Sequence, residues 1–416
     1  MKENRRVKYI RIASFSFLAF SVMFSYAIAR PSAESLFLAT HSSKSLPLVW
    51  LIVAAAMLCV VAIYNWFVTK HDLIRLFGYA AFASSITLVG LLLLKRMEVY
   101  GVNYAIYVWK DIYVVVLVDL FYMYANSVFP IKTARWIYGF FGAFAAAGSI
   151  VGNLLVGKLA MAYGTVGSFW FAVPVLALIG FFCLPLSKIV GIGKPLEKKY
   201  NHAHIREAWK VVRNSSYLTL ILLLIFVVQI AVVLIDFEFN GVVESAFPDM
   251  DVRTGMIGKI YAIINSATFV LHLITGPLLR LVTVPGALIS IPFILALSVV
   301  TFIAFPAFMV VAVMKAASKV FDYTIFKSAK EILYIPLTYE EKTMGKSIVD
   351  MLSYRIAKGG ASLLLMGILG LGLMKIVPWV TLALILLWIV ITWAIVKRFR
   401  SKVDRSQEMT SDFVNR

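Results

Sequence analysis

Ionisable side chains set inside long apolar runs carry the chemistry of this sequence: Arg30 and Glu34; Lys110, Asp111 and Asp119; Asp236 and Glu238; Lys259; Lys315, Lys319 and Asp322; Asp350, Arg355 and Lys358. A charge at the centre of a spanning helix costs about 2.5–3.5 kcal/mol on insertion scales, so each needs a partner, a wet cavity or a ligand. Residues three, four or seven apart share a helix face. Lys315, Lys319 and Asp322 therefore fit one stripe, Arg355 and Lys358 another, and Arg30 can pair with Glu34 along its own helix. The plain alternative is a set of ion pairs that only hold helices together, or long side chains that snorkel to the headgroups. Several cations against fewer acids in one lumen would draw an anion, with arginine offering a bidentate fork and lysine a point charge. The expected substrate-binding set is Arg30, Glu34, Lys110, Asp111, Asp236, Glu238, Lys315, Lys319, Asp322, Arg355 and Lys358, with a small anion as substrate. Asp111, Asp119, Asp236, Glu238 and Asp322 are the candidate carriers of a coupling proton.

Only a membrane can accommodate the elements that position these groups. Of 416 residues 61% are hydrophobic and 15% charged, where soluble chains carry roughly a quarter charged, and the mean hydropathy is +0.89. A spanning helix takes about 20 apolar residues, and lipid leaves only helices or closed barrels. Barrel strands alternate in polarity; the run from Ile376 to Val396 is apolar on every side. Spans are predicted near 8–30, 46–69, 73–94, 103–129, 135–161, 166–189, 217–246, 254–280, 284–304, 306–333, 347–372 and 376–397. The basic start followed by an apolar run reads as a retained first helix that ends at Arg30-Pro31, since the run exceeds a signal-peptide core. Cys59 and Cys183 lie in apolar segments and read as packed, reduced thiols.

The fold class read from this pattern is all-α, a polytopic membrane protein of about twelve spans in two six-helix halves. The N-terminal half is 1–190, a basic linker runs over 191–216, the C-terminal half is 217–400, and 401–416 lacks apolar periodicity and reads as a disordered tail. The linker holds Lys194, Lys198, Lys199, Arg206, Lys210 and Arg213. It predicts an interfacial helix against lipid headgroups. Lysine and arginine collect in cytoplasmic loops, which puts both termini inside, and a bacterial inner membrane is the expected location. The net charge of +19 follows from that topology rule and from attraction to anionic lipids, with no nucleic acid required. Two such halves around a basic linker match the major-facilitator layout, with the substrate between parallel repeats. A weak internal echo agrees: Lys110 then Asp119 in the fourth span, Lys315 then Asp322 in the tenth.

Gly148 and Gly152, and the run Gly359, Gly360, Ala361 and Ser362, mark close helix packing. No G-x-x-x-x-G-K-[ST] string is present, so a pump with its own P-loop is excluded. His41, His71, His202, His204 and His272 are scattered and match no helical metal spacing. No enzyme, metal or cofactor is read from the sequence.

In the tenth and eleventh spans the sequence resembles the ADP/ATP translocase family of plastids and obligate intracellular bacteria. The matching residues are Lys330 to Leu337, Lys342 to Asp350, and Lys358-Gly359-Gly360. Tyr124-Ala125-Asn126 followed by Tyr138 to Gly142, and the stretch Tyr26 to Leu36, extend the likeness. The resemblance implies a major-facilitator-like fold and antiport of adenine nucleotides. Where that family has a first-helix lysine this chain has Ala33; where it has a fourth-helix glutamate this chain has Lys110; and where it has a lysine four residues beyond the acid matched by Asp236 this chain has Asn240. The expectation is a divergent member that transports an organic anion, a nucleotide or another phosphorylated metabolite, by alternating access at a central cationic cavity. The alternative from a different class is a lipid translocase or a membrane partner subunit in envelope assembly.

Overall fold

The computed structural model describes residues 5–129, 131–190, 209–338 and 340–414. The linker residues 191–208 lie outside the described residues, as do the side chains of Asp350 and Arg355. Among the described residues the chain is helical, with no strand. Eight stretches are long and apolar enough to cross a membrane: Tyr9–Thr40, Ser43–Val68, Leu73–Arg96, Ile137–Leu186, Ser216–Ala246, Met250–Val282, Val284–Ala304 and Met374–Phe399. The helices are α1 (Arg5–Thr40), α2 (Leu46–Val68), α3 (Leu73–Arg96), α4 (Val102–Val128), α5 (Ile131–Ser168), α6 (Ala172–Val190), α7 (Ser216–Ala246), α8 (Met250–Val282), α9 (Val284–Ala304), α10 (Phe308–Phe321), α11 (Lys327–Leu333), α12 (Lys346–Gly370) and α13 (Val377–Val414). Outside those eight stretches, α4 and α10 hold Lys110, Asp111, Asp119, Lys315 and Lys319. Arg30, Glu34, Asp236, Glu238 and Lys259 lie within the apolar stretches themselves.

Three boundaries differ from the sequence reading. The first helix does not stop at Arg30-Pro31: α1 runs on to Thr40 with Pro31 inside it. Proline removes one amide donor, and neighbouring helices and hydroxyl side chains make that tolerable in a span. The tenth span is broken: five residues of π-helix, Asp322–Phe326, join α10 to α11. Helix α13 continues through residues 401–414, the segment set apart above as a tail.

Contacts divide the chain into two compact units, 1–198 with 243–269, and 199–242 with 270–416. In the first, α1 packs against α4, α5 and α6, and α3 against α4 and α6. Phe15 is fully buried at the centre. Its ring stacks on Tyr124 at 4.8 Å and on Phe141 at 5.5 Å, and meets Phe129 edge-on at 5.1 Å. Such offset and edge geometries are the favoured ones for aromatic pairs. Helices α1 and α5 touch backbone to backbone: a Cβ on Gly152 would lie 2.7 Å from the Phe24 carbonyl, and one on Gly148 would overlap that of Phe20. Helix α5 is broken near its end by a kink at Gly164, whose φ of 75° lies where a side chain is penalised.

In the second unit, α9 packs against α13 and α10. The Tyr217 hydroxyl donates to the Leu333 carbonyl at 3.0 Å, tying α7 to the end of α11. Phe326 meets Trp388 edge-on at 5.7 Å.

Candidate functional sites in the two units

In the first unit, α1 brings Arg30 and Glu34 onto one face only because the helix continues past Pro31. Arg30 Nε donates to Glu34 Oε1 at 3.0 Å and Arg30 Nη2 to the Tyr261 hydroxyl at 2.8 Å. The same hydroxyl lies 3.0 Å from Glu34 Oε2, and the guanidinium sits 3.9 Å from the Tyr261 ring centroid. One tyrosine on α8 therefore holds the cation by its ring and its hydroxyl together, a combination worth more than either alone where water is excluded. One face away, Lys110 on α4 is 2% exposed. Its Nζ lies 2.8 Å from Asp111 Oδ1 and 3.7 Å from the Tyr107 ring centroid. Trp50 Nε1 fixes that ring by donating to the Tyr107 hydroxyl at 2.9 Å. The charges of Arg30 and Glu34 also act on Lys110, so two cations and two acids form one electrostatic group.

In the second unit, α7 and α10 run as an antiparallel ladder of polar groups. Lys315 Nζ lies 2.7 Å from Asp236 Oδ1 and Lys319 Nζ 3.0 Å from Asp236 Oδ2. Further along, Gln229 Nε2 donates to Asp322 Oδ1 at 3.3 Å. Asn240 Nδ2 turns back to the Asp236 carbonyl at 2.7 Å. Asp236 is thus shared by two lysines, and Asp322, which acts on both Lys319 and Asp236, brings a second acid to the same group.

The structure thus joins Arg30 to Glu34, Lys110 to Asp111, and Lys315 and Lys319 to Asp236, and places Asp322 against Gln229. Glu238 is half-buried on the other face of α7 and meets no partner among the described residues. Lys358 is half-buried on α12, Lys259 and Asp119 are exposed, and the side chain of Arg355 lies outside the described residues. Sequence reasoning missed Tyr261, Tyr107, Trp50 and Gln229. Two signals were available: Gln229 is seven residues from Asp236, and Tyr107 three from Lys110, so each shares a helix face with a charge already singled out.

Residues 305–402, spanning α10 to most of α13, match the TLC ATP/ADP transporter family. ADP,ATP carrier protein 1 of Chlamydia pneumoniae is 25% identical over 46% of this chain and 41% of its own length. The ADP,ATP carrier protein 1 of Chlamydia trachomatis is 22% identical over 84% of this chain and 80% of its own, and carrier protein 5 of Rickettsia felis 21% identical over 84% of each. The chain therefore spans less than half of the first of these relatives and most of the other two. Among solved structures, the nucleoside transporter NupG superposes with a TM-score of 0.72 at 10% identity, covering 92% of this chain and 99% of that one. A bacterial homologue of the iron transporter ferroportin gives 0.67 at 13% identity, covering 95% and 99%. At such identities the likeness speaks for the fold alone. Taken together, helical content, apolar spans and these matches make the chain a multi-pass membrane protein that has the fold of these solved transporters and is similar in sequence to ADP,ATP carrier proteins.

Proposed function

We propose that the protein is a secondary transporter that exchanges small phosphorylated anions, adenine nucleotides first among them, by alternating access. The observation that carries this reading is the doubly bonded carboxylate: Lys315 and Lys319 both contact Asp236, so an incoming phosphate can take one lysine while the other stays paired. A lysine that keeps a partner throughout avoids the several kcal/mol that a stranded buried charge costs, about 3–5 kcal/mol when one partner is removed. In the other unit Arg30 and Lys110 supply a guanidinium fork and a point charge, each balanced by an acid until substrate arrives. Two of the three departures from the translocase pattern, Lys110 and Asn240, fit the same logic. Lys110 sits where a glutamate is expected, and Asp111 beside it balances the reversal. Asn240 sits where a lysine is expected, and Lys315 and Lys319 from α10 serve Asp236 in its place.

The test is uptake of labelled ATP by liposomes holding the purified protein, with and without internal ADP, beside a Lys319→Ala variant. Uptake that requires internal nucleotide and collapses in the variant supports exchange. Absence of uptake by folded, inserted protein, together with competition by phospholipid in a lipid-flipping assay, would replace this reading with a lipid translocase.

A further inference from the structure

The polar ladder of α7 and α10 continues past the two lysines and their carboxylate. Gln229 is seven residues from Asp236, and Asp322 seven from Lys315, about 10 Å along either helix at 1.5 Å per residue. A phosphate held by Lys315 or Lys319 needs nothing from this second pair. Gln229 Nε2 lies 3.3 Å from Asp322 Oδ1 and 3.5 Å from Oδ2. Both side chains are half-buried, and Tyr323, next to Asp322, is 42% exposed. Its ring centroid lies 6.0 Å from Lys319 Nζ. Asp322 and Tyr323 open the five residues of π-helix that interrupt the tenth span, and single π-turns within α-helices are frequent at functional sites.

A carboxylate and a carboxamide N–H held side by side present an acceptor next to a donor. The amide nitrogen carries two hydrogens, so Gln229 can keep Asp322 and donate once more. Adenine offers the complement, an N6 amino donor beside a ring nitrogen that accepts. Hypoxanthine has a carbonyl oxygen in place of that amino group, and with its phosphates fixed at the lysines it would set this oxygen against the carboxylate. A site built to bond an N–H rejects the analogue lacking it far more strongly than an apolar pocket rejects a change of size. An exposed aromatic ring, by contrast, stacks on any base without discrimination.

We propose that Gln229, Asp322 and Tyr323 seat the adenine base of the transported nucleotide while Lys315 and Lys319 take its phosphates: Asp322 accepts from the N6 amino group, Gln229 donates to the neighbouring ring nitrogen, and Tyr323 stacks on the base. The inference rests on the exchange reading above and adds a base preference to it. The lysines meet the same triphosphate in every nucleotide, so they cannot generate that preference. Stacking supplies affinity and the polar pair supplies selectivity, and because the two lie in different residues they are separable by substitution.

The experiment measures exchange of labelled ATP by full-length protein in ADP-loaded liposomes, with unlabelled ATP, inosine triphosphate and tripolyphosphate as competitors. Ratios of half-inhibiting concentrations are compared, so the amount of inserted protein cancels. In the parent, ATP is expected to compete on the order of tenfold better than inosine triphosphate, the discrimination of one good base contact, and tripolyphosphate, which has no base, less well than either. Asp322→Asn is expected to bring the ATP to inosine triphosphate ratio close to one, because two carboxamides can turn to offer either order of donor and acceptor. Tyr323→Leu is expected to weaken both nucleotides on the order of tenfold, the loss of one stacked base, and to leave their ratio and the competition by tripolyphosphate as in the parent. Should Asp322→Asn fail to insert, Gln229→Leu carries the test without a change of charge: the gap between ATP and tripolyphosphate narrows. Equal competition by the two nucleotides in the parent, a ratio that survives Asp322→Asn, or an unchanged gap in Gln229→Leu overturns the base seat and leaves nucleotide exchange standing. Protein that exchanges no nucleotide fails the exchange reading itself, and the base seat falls with it.

Discussion

Lys315 on α10 holds its ammonium 2.7 Å from a carboxylate oxygen of Asp236 on α7, and is itself 1% exposed. The other oxygen of Asp236 takes Lys319 at 3.0 Å. The carboxylate is the hinge of this group, and removing it is the most damaging change. Asp236→Asn leaves two cations facing a neutral amide and should cost about 3–5 kcal/mol of stability. Lys319→Ala should cost less, since Asp236 keeps Lys315. Replacing all three by Met, Met and Leu removes the charges together and should recover most of the stability lost in Asp236→Asn, while exchange activity stays absent. Thermal unfolding of purified protein in detergent, run beside the liposome assay, separates the two effects. Equal stability of Asp236→Asn and Lys319→Ala would refute the shared-carboxylate account.

Tyr261 offers a graded test in the other unit. Tyr261→Phe removes a hydroxyl bonded to both Arg30 and Glu34 but retains the ring 3.9 Å from the guanidinium. The expected cost is about 1–2 kcal/mol, within the range for a buried hydrogen bond. Tyr261→Leu loses the cation–π contact as well and should add about 0.5–2 kcal/mol. The order parent, Phe, Leu in thermal stability is the result to look for. Phe matching Leu would mean that the ring contributes nothing.

The seam between α1 and α5 makes a sharper distinction. A methyl group on Gly152 would meet the Phe24 carbonyl at 2.7 Å and Ala27 Cβ at 2.8 Å, whereas one on Gly139 of the same helix meets nothing within 4 Å. Gly152→Ala should therefore destabilise by about 1–3 kcal/mol through overpacking. Gly139→Ala should be neutral or slightly stabilising, since alanine favours the helix. Expression level and melting temperature of the two variants decide the point.

Helical character and the spans were legible because apolar runs of membrane length leave no other solution, and the glycines of α5 announced close packing. The stripe Lys315, Lys319, Asp322 was legible from spacing alone. Its partners were not, since which helix faces it depends on tertiary packing: Asp236 and Gln229 came forward only when α7 was laid antiparallel to α10. The reading of Pro31 as a helix end failed for a related reason. In water proline marks a boundary, but in a bundle the surrounding helices let α1 continue. Continuation is what brings Arg30 and Glu34 together.

Lys110 tests whether charge balance or charge identity matters. Its Nζ is 2.8 Å from Asp111 and its stem is fully enclosed, so Lys110→Glu would set a third acid beside Asp111 and Glu34. Like charges in a desolvated site repel by several kcal/mol, and the variant should be poorly stable and inactive. Lys110→Glu combined with Asp111→Lys exchanges the two charges in place and keeps their sum. If balance alone is required, stability returns in the double variant. If the ammonium at position 110 itself binds the anion, stability returns and ATP exchange does not, because the cation now projects from the next position, about 100° around the helix. Labelled-ATP exchange and thermal melting of the single and double variants distinguish the cases. Full activity in the double variant would remove Lys110 from the binding set.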